Sequence, residues 1–80
     1  MGQTEQYVKV EGLVEEALPG LKFRVLLDVE KEDGTRIEKR IIAHPAGKMK
    51  IHYIRVVPGD RVLVEMPNIN DERGRIIRRL

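Results

Sequence analysis

The stretch GKMKIHYIRVVPGDRVLV, residues 47–64, decides how this chain folds. Its first part reads as one or two helical turns over residues 47–54, with Met49 and Tyr53 one turn apart on the same side. A Pro58-Gly59-Asp60 turn follows, and then Val62, Val64 and Met66 alternate with other residues as a half-buried strand does. A short helix that leads through a tight turn into a strand is a connector between strands. The same stretch carries Lys48, Lys50, Arg55 and Arg61 against one carboxylate, Asp60, with His52 and Tyr53 set among them. Cations and a ring on a connector held at both ends suit a surface that meets phosphates and bases.

Upstream, the pattern is that of strands. Val8, Val10, Gly12 and Val14 share one face while Lys9, Glu11 and Glu15 take the other, and Gly12 inside the run predicts a bulge or sharp bend. Leu18-Pro19-Gly20-Leu21 is a turn, with proline presetting φ and glycine supplying a positive one. A second strand places Leu21, Phe23, Val25, Leu27 and Val29 inward. Asp33-Gly34 is a strong hairpin signal, and the returning strand puts Ile37, Ile41 and Ala43 on one face until Pro45, lacking an N–H, ends the ladder. Downstream, residues 67–74 form a polar loop and residues 75–80 a fifth strand with Ile76 and Ile77 on opposite faces. Five short strands with a small helix between the third and fourth predict an all-β, five-stranded Greek-key barrel, the OB-fold. Residues 1–6 read as a flexible polar tail and residues 7–80 as a single domain.

Composition narrows the function. The chain has no Cys and no Ser, and its two threonines lie in the tail (Thr4) and the hairpin (Thr35), so no nucleophile sits beside a base. Glu15-Glu16 and Asp71-Glu72 are adjacent pairs that point to opposite faces of extended chain, which disfavours acid–base catalysis on one bond. Two histidines, His44 and His52, are too few for a zinc site, and no phosphate-cradling glycine motif is present. A non-enzymatic protein without metal or cofactor is expected. No stretch has the apolar length of a membrane span, which makes the cytoplasm the default location. The net charge of +2 hides an asymmetry: residues 1–16 hold four carboxylates against Lys9, whereas residues 73–80 hold four arginines and no acidic side chain. That distribution points to a polyanion partner.

Each basic cluster also has a plain reading. Lys31, Lys39 and Arg40 read as a solvated outer face, whereas Lys48, Lys50 and Arg55 read as binding residues because two prolines bracket them. Arg73-Gly74-Arg75 reads equally as a phosphate clamp, in which glycine admits close backbone approach, or as a turn glycine with flanking cations. Met49 reads as packing, Tyr53 as either packing or stacking, Phe23 as core, and His44 as either a strand cap or an RNA contact. Three aromatic residues are too few for a reader of single strands by stacking alone.

EALPGLKFRV at 16–25, AHPAGKMKIHYIRVVPGDRVLVE at 43–65 and RGRIIRR at 73–79 together resemble bacterial translation initiation factor one, in that family's order and nearly its spacing. The resemblance implies an OB-fold protein that binds the small ribosomal subunit at the aminoacyl-tRNA site. There it would contact the decoding region of the rRNA and a neighbouring ribosomal protein, and help the other initiation factors select initiator tRNA. It implies a monomer, with His44, Lys48, Met49, Lys50, Tyr53, Arg55, Arg73 and Arg75 on or near the RNA-facing side. Alternatively, the same barrel would serve as a general RNA-binding or RNA-chaperone protein. The chain departs from the family in three places. VEKEDGTRIEK (29–39) lengthens the hairpin, Pro45-Ala46 replaces Ile-Ser, and Ile69-Asn70 stands where a Tyr-Asp pair is common.

Overall fold

In the computed structural model, which describes residues 7–80, five strands close into a barrel in the order β1-β2-β3-β5-β4, with β4 returning to β1. The elements are β1 (Val8–Leu18), β2 (Lys22–Glu30), β3 (Arg36–Pro45), α1 (Gly47–Ile51), β4 (Arg61–Met66) and β5 (Arg73–Arg79). All pairings are antiparallel except β3 with β5. This is the expected OB-fold, with its one helix between β3 and β4. The expected tail at residues 1–6 lies outside the described residues.

Strand alternation builds the interior. Val14, Val25, Leu27, Ile41, Ala43, Val62, Val64, Met66 and Ile76 are buried, and Met49 joins them from α1. Full burial of an aliphatic side chain of this size is worth about 1.5–3 kcal/mol. Among the described residues no polar or charged residue is buried, so the core rests on apolar packing and the strand ladders.

Several local expectations are corrected. Leu21 is not inward: it lies in the turn with φ 57°, beside Gly20 at φ 81°, and its side chain is exposed. The irregularity in β1 falls between Val14 and Glu16, leaving Gly12 in regular register opposite Leu27. Gly12 instead answers a close approach, because a Cβ there would come within 2.5 Å of Val25 Cγ1 and 2.8 Å of Leu27 Cδ2. Gly74 follows the same logic. It belongs to β5, not to a loop, it is buried, and a Cβ would sit 2.5 Å from Val64 Cγ1 and 3.0 Å from Ile41 Cδ1. It is therefore neither a turn glycine nor a phosphate-approach glycine. Pro45 stays in the β3 ladder opposite Ile76, because the Ala46 N–H makes the bond to the Ile76 carbonyl (2.8 Å) and none is needed from proline.

The β2–β3 hairpin overruns the barrel. Its register continues through Val29↔Ile37 and Glu30↔Arg36, so Ile37, expected on the same face as Ile41 and Ala43, lies beyond the barrel and is 41% exposed. The Gly34 N–H bonds the Lys31 carbonyl and the Lys31 N–H bonds the Thr35 carbonyl, with Gly34 at φ 90°. Asp33 accepts from the Thr35 hydroxyl (2.6 Å) and N–H (3.0 Å), and these bonds hold its carboxyl below the usual aspartate value.

Gly12→Ala and Gly74→Ala are each expected to cost about 1–3 kcal/mol through overpacking, read as a lower denaturant midpoint at unchanged m-value. The Asp33 carboxyl stabilises the turn fully above the ordinary aspartate pKa and loses that contribution as pH falls through its lowered folded value. In Thr35→Val the Asp33 titration midpoint, followed by carboxyl NMR shifts, should move up toward the ordinary value.

Candidate nucleic-acid interface

The connector between β3 and β4 is anchored along its length. Met49 is 1% exposed and pins α1 to the barrel. Its burial makes it a packing residue, as its spacing suggested, and it reaches the surface only in the lining of the cleft between α1 and β5. At the helix end, the Tyr53 N–H bonds the Lys50 carbonyl (3.2 Å) and the Ile54 N–H bonds the Met49 carbonyl (2.9 Å). This paired closure is the Schellman arrangement, and its left-handed position is usually glycine. Here it is Tyr53, at φ 55° and 90% exposed. The ring does not pack on the barrel, and because α1 ends at Ile51 and not at residue 54, Tyr53 does not share the side of Met49 that the spacing predicted. Farther along, Arg79 Nη1 donates to the Arg55 carbonyl (2.8 Å), Asp60 Oδ2 accepts from the Val57 N–H (3.0 Å), and the Gly59 N–H bonds the Val14 carbonyl (2.8 Å).

Strand β5 is the spine of the basic face. Its parallel register sets His44 beside Arg75 and Ile42 beside Arg73. His44, Arg73 and Arg75 line one open cleft with Tyr7, Glu65, Pro67 and Asp71. A second cleft, between α1 and the far end of β5, is lined by Lys48, His52, Ile54, Ile77 and Arg78. From Arg73 to Arg78 the strand spans about 16 Å, so the two clefts succeed one another along it. Lys50, Tyr53 and Arg55 line neither cleft and lie exposed on the connector. Arg78 and His52 are additions to the expected set. A slip in the β4–β5 register at Leu63/Val64 leaves Ile77 unpaired, which shifts the phase of the residues after it. Simple alternation along RGRIIRR could not show this.

Ion pairing separates the basic clusters. Arg24 pairs with Glu16, Arg36 with Asp28 and Glu30, Arg40 with Glu15, and Arg61 with Glu11. Arg75 pairs with Glu65, so its guanidinium is fixed in place and partly neutralised. Lys39 donates to the Ile69 carbonyl at 2.8 Å. Among the described residues, Lys48, Lys50, Arg55, Arg73 and Arg78 form no ion pair, and all are exposed or half-buried at the surface. Thus the arginines of the hairpin and outer barrel are spent on neighbouring carboxylates, and these cations of the connector and β5 remain free. No cluster of His, Cys, Asp and Glu among the described residues could hold a metal ion.

A closed five-stranded barrel with a helical connector and a cationic strip along β5 defines a small OB-fold module. No protein-family model matches the chain. Among solved structures it is similar to translation initiation factor one from the Wolbachia endosymbiont strain TRS of Brugia malayi, with a TM-score of 0.63 and 42% sequence identity, covering 92% of this chain and 78% of that one. It is also similar to YjeQ from Thermotoga maritima, with a TM-score of 0.61 and 23% identity, covering 91% of this chain but 23% of that one, a likeness of fold alone. The chain belongs to the family of translation initiation factor one.

Tyr53→Gly should raise folding stability by about 1 kcal/mol, since glycine takes the left-handed position without the penalty of a Cβ. If Tyr53 serves the surface and not the fold, the same variant should bind small ribosomal subunits more weakly in a sedimentation assay. A variant both less stable and equally active would contradict this assignment.

Proposed function

We propose that this chain, as a translation initiation factor, binds the small ribosomal subunit at the aminoacyl-tRNA site, contacts the decoding region of the rRNA and helps initiator tRNA selection. The observation that carries the reading is the set of unpaired, exposed cations on the connector and β5 next to an outward Tyr53. Such a surface engages RNA mainly through phosphates, with one ring free to stack on a base. Lys48, Lys50, Arg55 and Arg73 neutralise phosphates, His44 and Arg75 line the first cleft, Arg78 extends the strip, and Met49 holds the connector beneath them. The mechanism is occlusion without catalysis: the bound barrel blocks elongator tRNA and its side chains hold nearby bases in another conformation. A monomer acting in the cytoplasm beside a ribosomal protein and the other initiation factors fits this role. No helix among the described residues is long and apolar enough to cross a membrane.

For Z phosphates engaged, the logarithm of affinity should fall with the logarithm of salt concentration at a slope of about −0.7Z to −0.9Z. Lys48→Gln with Lys50→Gln should flatten that slope by nearly two phosphate equivalents at unchanged thermal stability. Chemical footprinting of small-subunit rRNA should show protection confined to the decoding region. Diffuse protection, or equal affinity for unstructured RNA of similar length, would instead favour a general RNA-binding barrel.

A further inference from the structure

The cleft between α1 and the far end of β5 has charges of one sign. Its volume is about 400 Å³, ample for a phosphate group. The titratable residues in its lining are Lys48 and His52 from the helix and its cap, and Arg78 and Arg79 from β5. No carboxylate lines it. Residues 46–60 hold one acidic residue, Asp60, whose Oδ2 accepts from the Val57 N–H (3.0 Å). Strand β5 holds none, and the single carboxylate of β4, Glu65, is paired with Arg75.

The basic groups of the cleft differ in how they are held. Arg79 is tied to the Arg55 carbonyl (2.8 Å). Lys48 and Arg78 form no ion pair among the described residues, and the exposed His52 ring has neither an ion pair nor a hydrogen bond there. The His52 N–H bonds the Lys48 carbonyl (3.1 Å), so the backbone that closes α1 sets the ring one turn from Lys48. Histidine is the side chain that changes charge near neutrality. A phosphate lying between Lys48 and Arg78 would favour the protonated ring, because a nearby opposite charge stabilises the charged form. His44 stands in a different setting: its cleft contains Glu65 and Asp71 together with Arg73 and Arg75, so cations there already meet carboxylates.

We propose that the α1–β5 cleft is a proton-linked phosphate site. One backbone phosphate of the RNA sits between Lys48 and Arg78, while His52 takes up a proton from solvent and donates a hydrogen bond to that phosphate. The proposal rests on the reading above that the chain binds rRNA, and it adds that the affinity of this face depends on pH through one residue. Arg78 and His52 thereby become phosphate ligands alongside Lys48.

Two measurements on the full chain test it. Binding to small ribosomal subunits should be about three- to fivefold tighter at about pH 6 than at about pH 8, the worth of one exposed charge pair. The salt slope should be steeper at the lower pH by about 0.7–0.9, the counterion release of one further cation. His52→Gln should abolish both pH effects. His52→Lys, charged throughout, should keep the tighter binding and the steeper slope at both pH values, and His44→Gln should leave the pH effects in place. Separately, inorganic pyrophosphate added to the isotopically labelled chain should shift the NMR signals of the His52 ring and of the Lys48 and Arg78 amides. Binding of the native chain that ignores pH would overturn the proposal, as would pH effects that survive His52→Gln or vanish in His44→Gln. Pyrophosphate shifts centred on Arg73 and Arg75 would overturn it too. A chain that binds small subunits at neither pH would sink the functional reading itself, and the pyrophosphate titration would still decide whether this cleft takes a phosphate.

Discussion

The parallel ladder between β3 and β5 is the constraint on which the rest of the molecule depends. It closes the barrel, and it does so where β3 runs out into the connector. Pro45 lies opposite Ile76, Ala46 bonds the Ile76 carbonyl, and α1 follows at once. Gly74 permits this closure, because any larger residue in that register would collide with Val64 and Ile41. With β5 held so tightly, its outward residues have nowhere to go but the surface beside α1. The part of the basic face on β5 is thus a by-product of closing the sheet.

The division of charge follows from the same closure. Arg24, Arg36, Arg40 and Arg61 lie on strands whose neighbours supply carboxylates, and each finds one. Exposed pairs of this kind add little stability, but they cancel the local field. The connector and the end of β5 lack such neighbours, so their cations keep their full field toward solvent. A molecule of small net charge thereby presents one basic face, while the charges of its hairpin nearly cancel.

Membership of the initiation factor family and the arrangement of the free cations support each other from independent directions. The hairpin is where this chain goes its own way. Its extra length adds Val29 to the core and leaves Ile37 and the start of β1 around a cleft among the described residues.

Strand alternation and turn residues by themselves determined the class of fold and the order of its elements, and the basic stretch at 47–61 marked the connector as the place to look. They did so because period and turn chemistry are local properties. Local pattern could not tell why Gly12 and Gly74 are glycines, since both answer to side chains that only the closed barrel brings near. Nor could it place Leu21 outside the core or add Arg78 to the basic strip. Each of those depends on register between strands far apart in sequence, and register is settled only when the whole barrel packs.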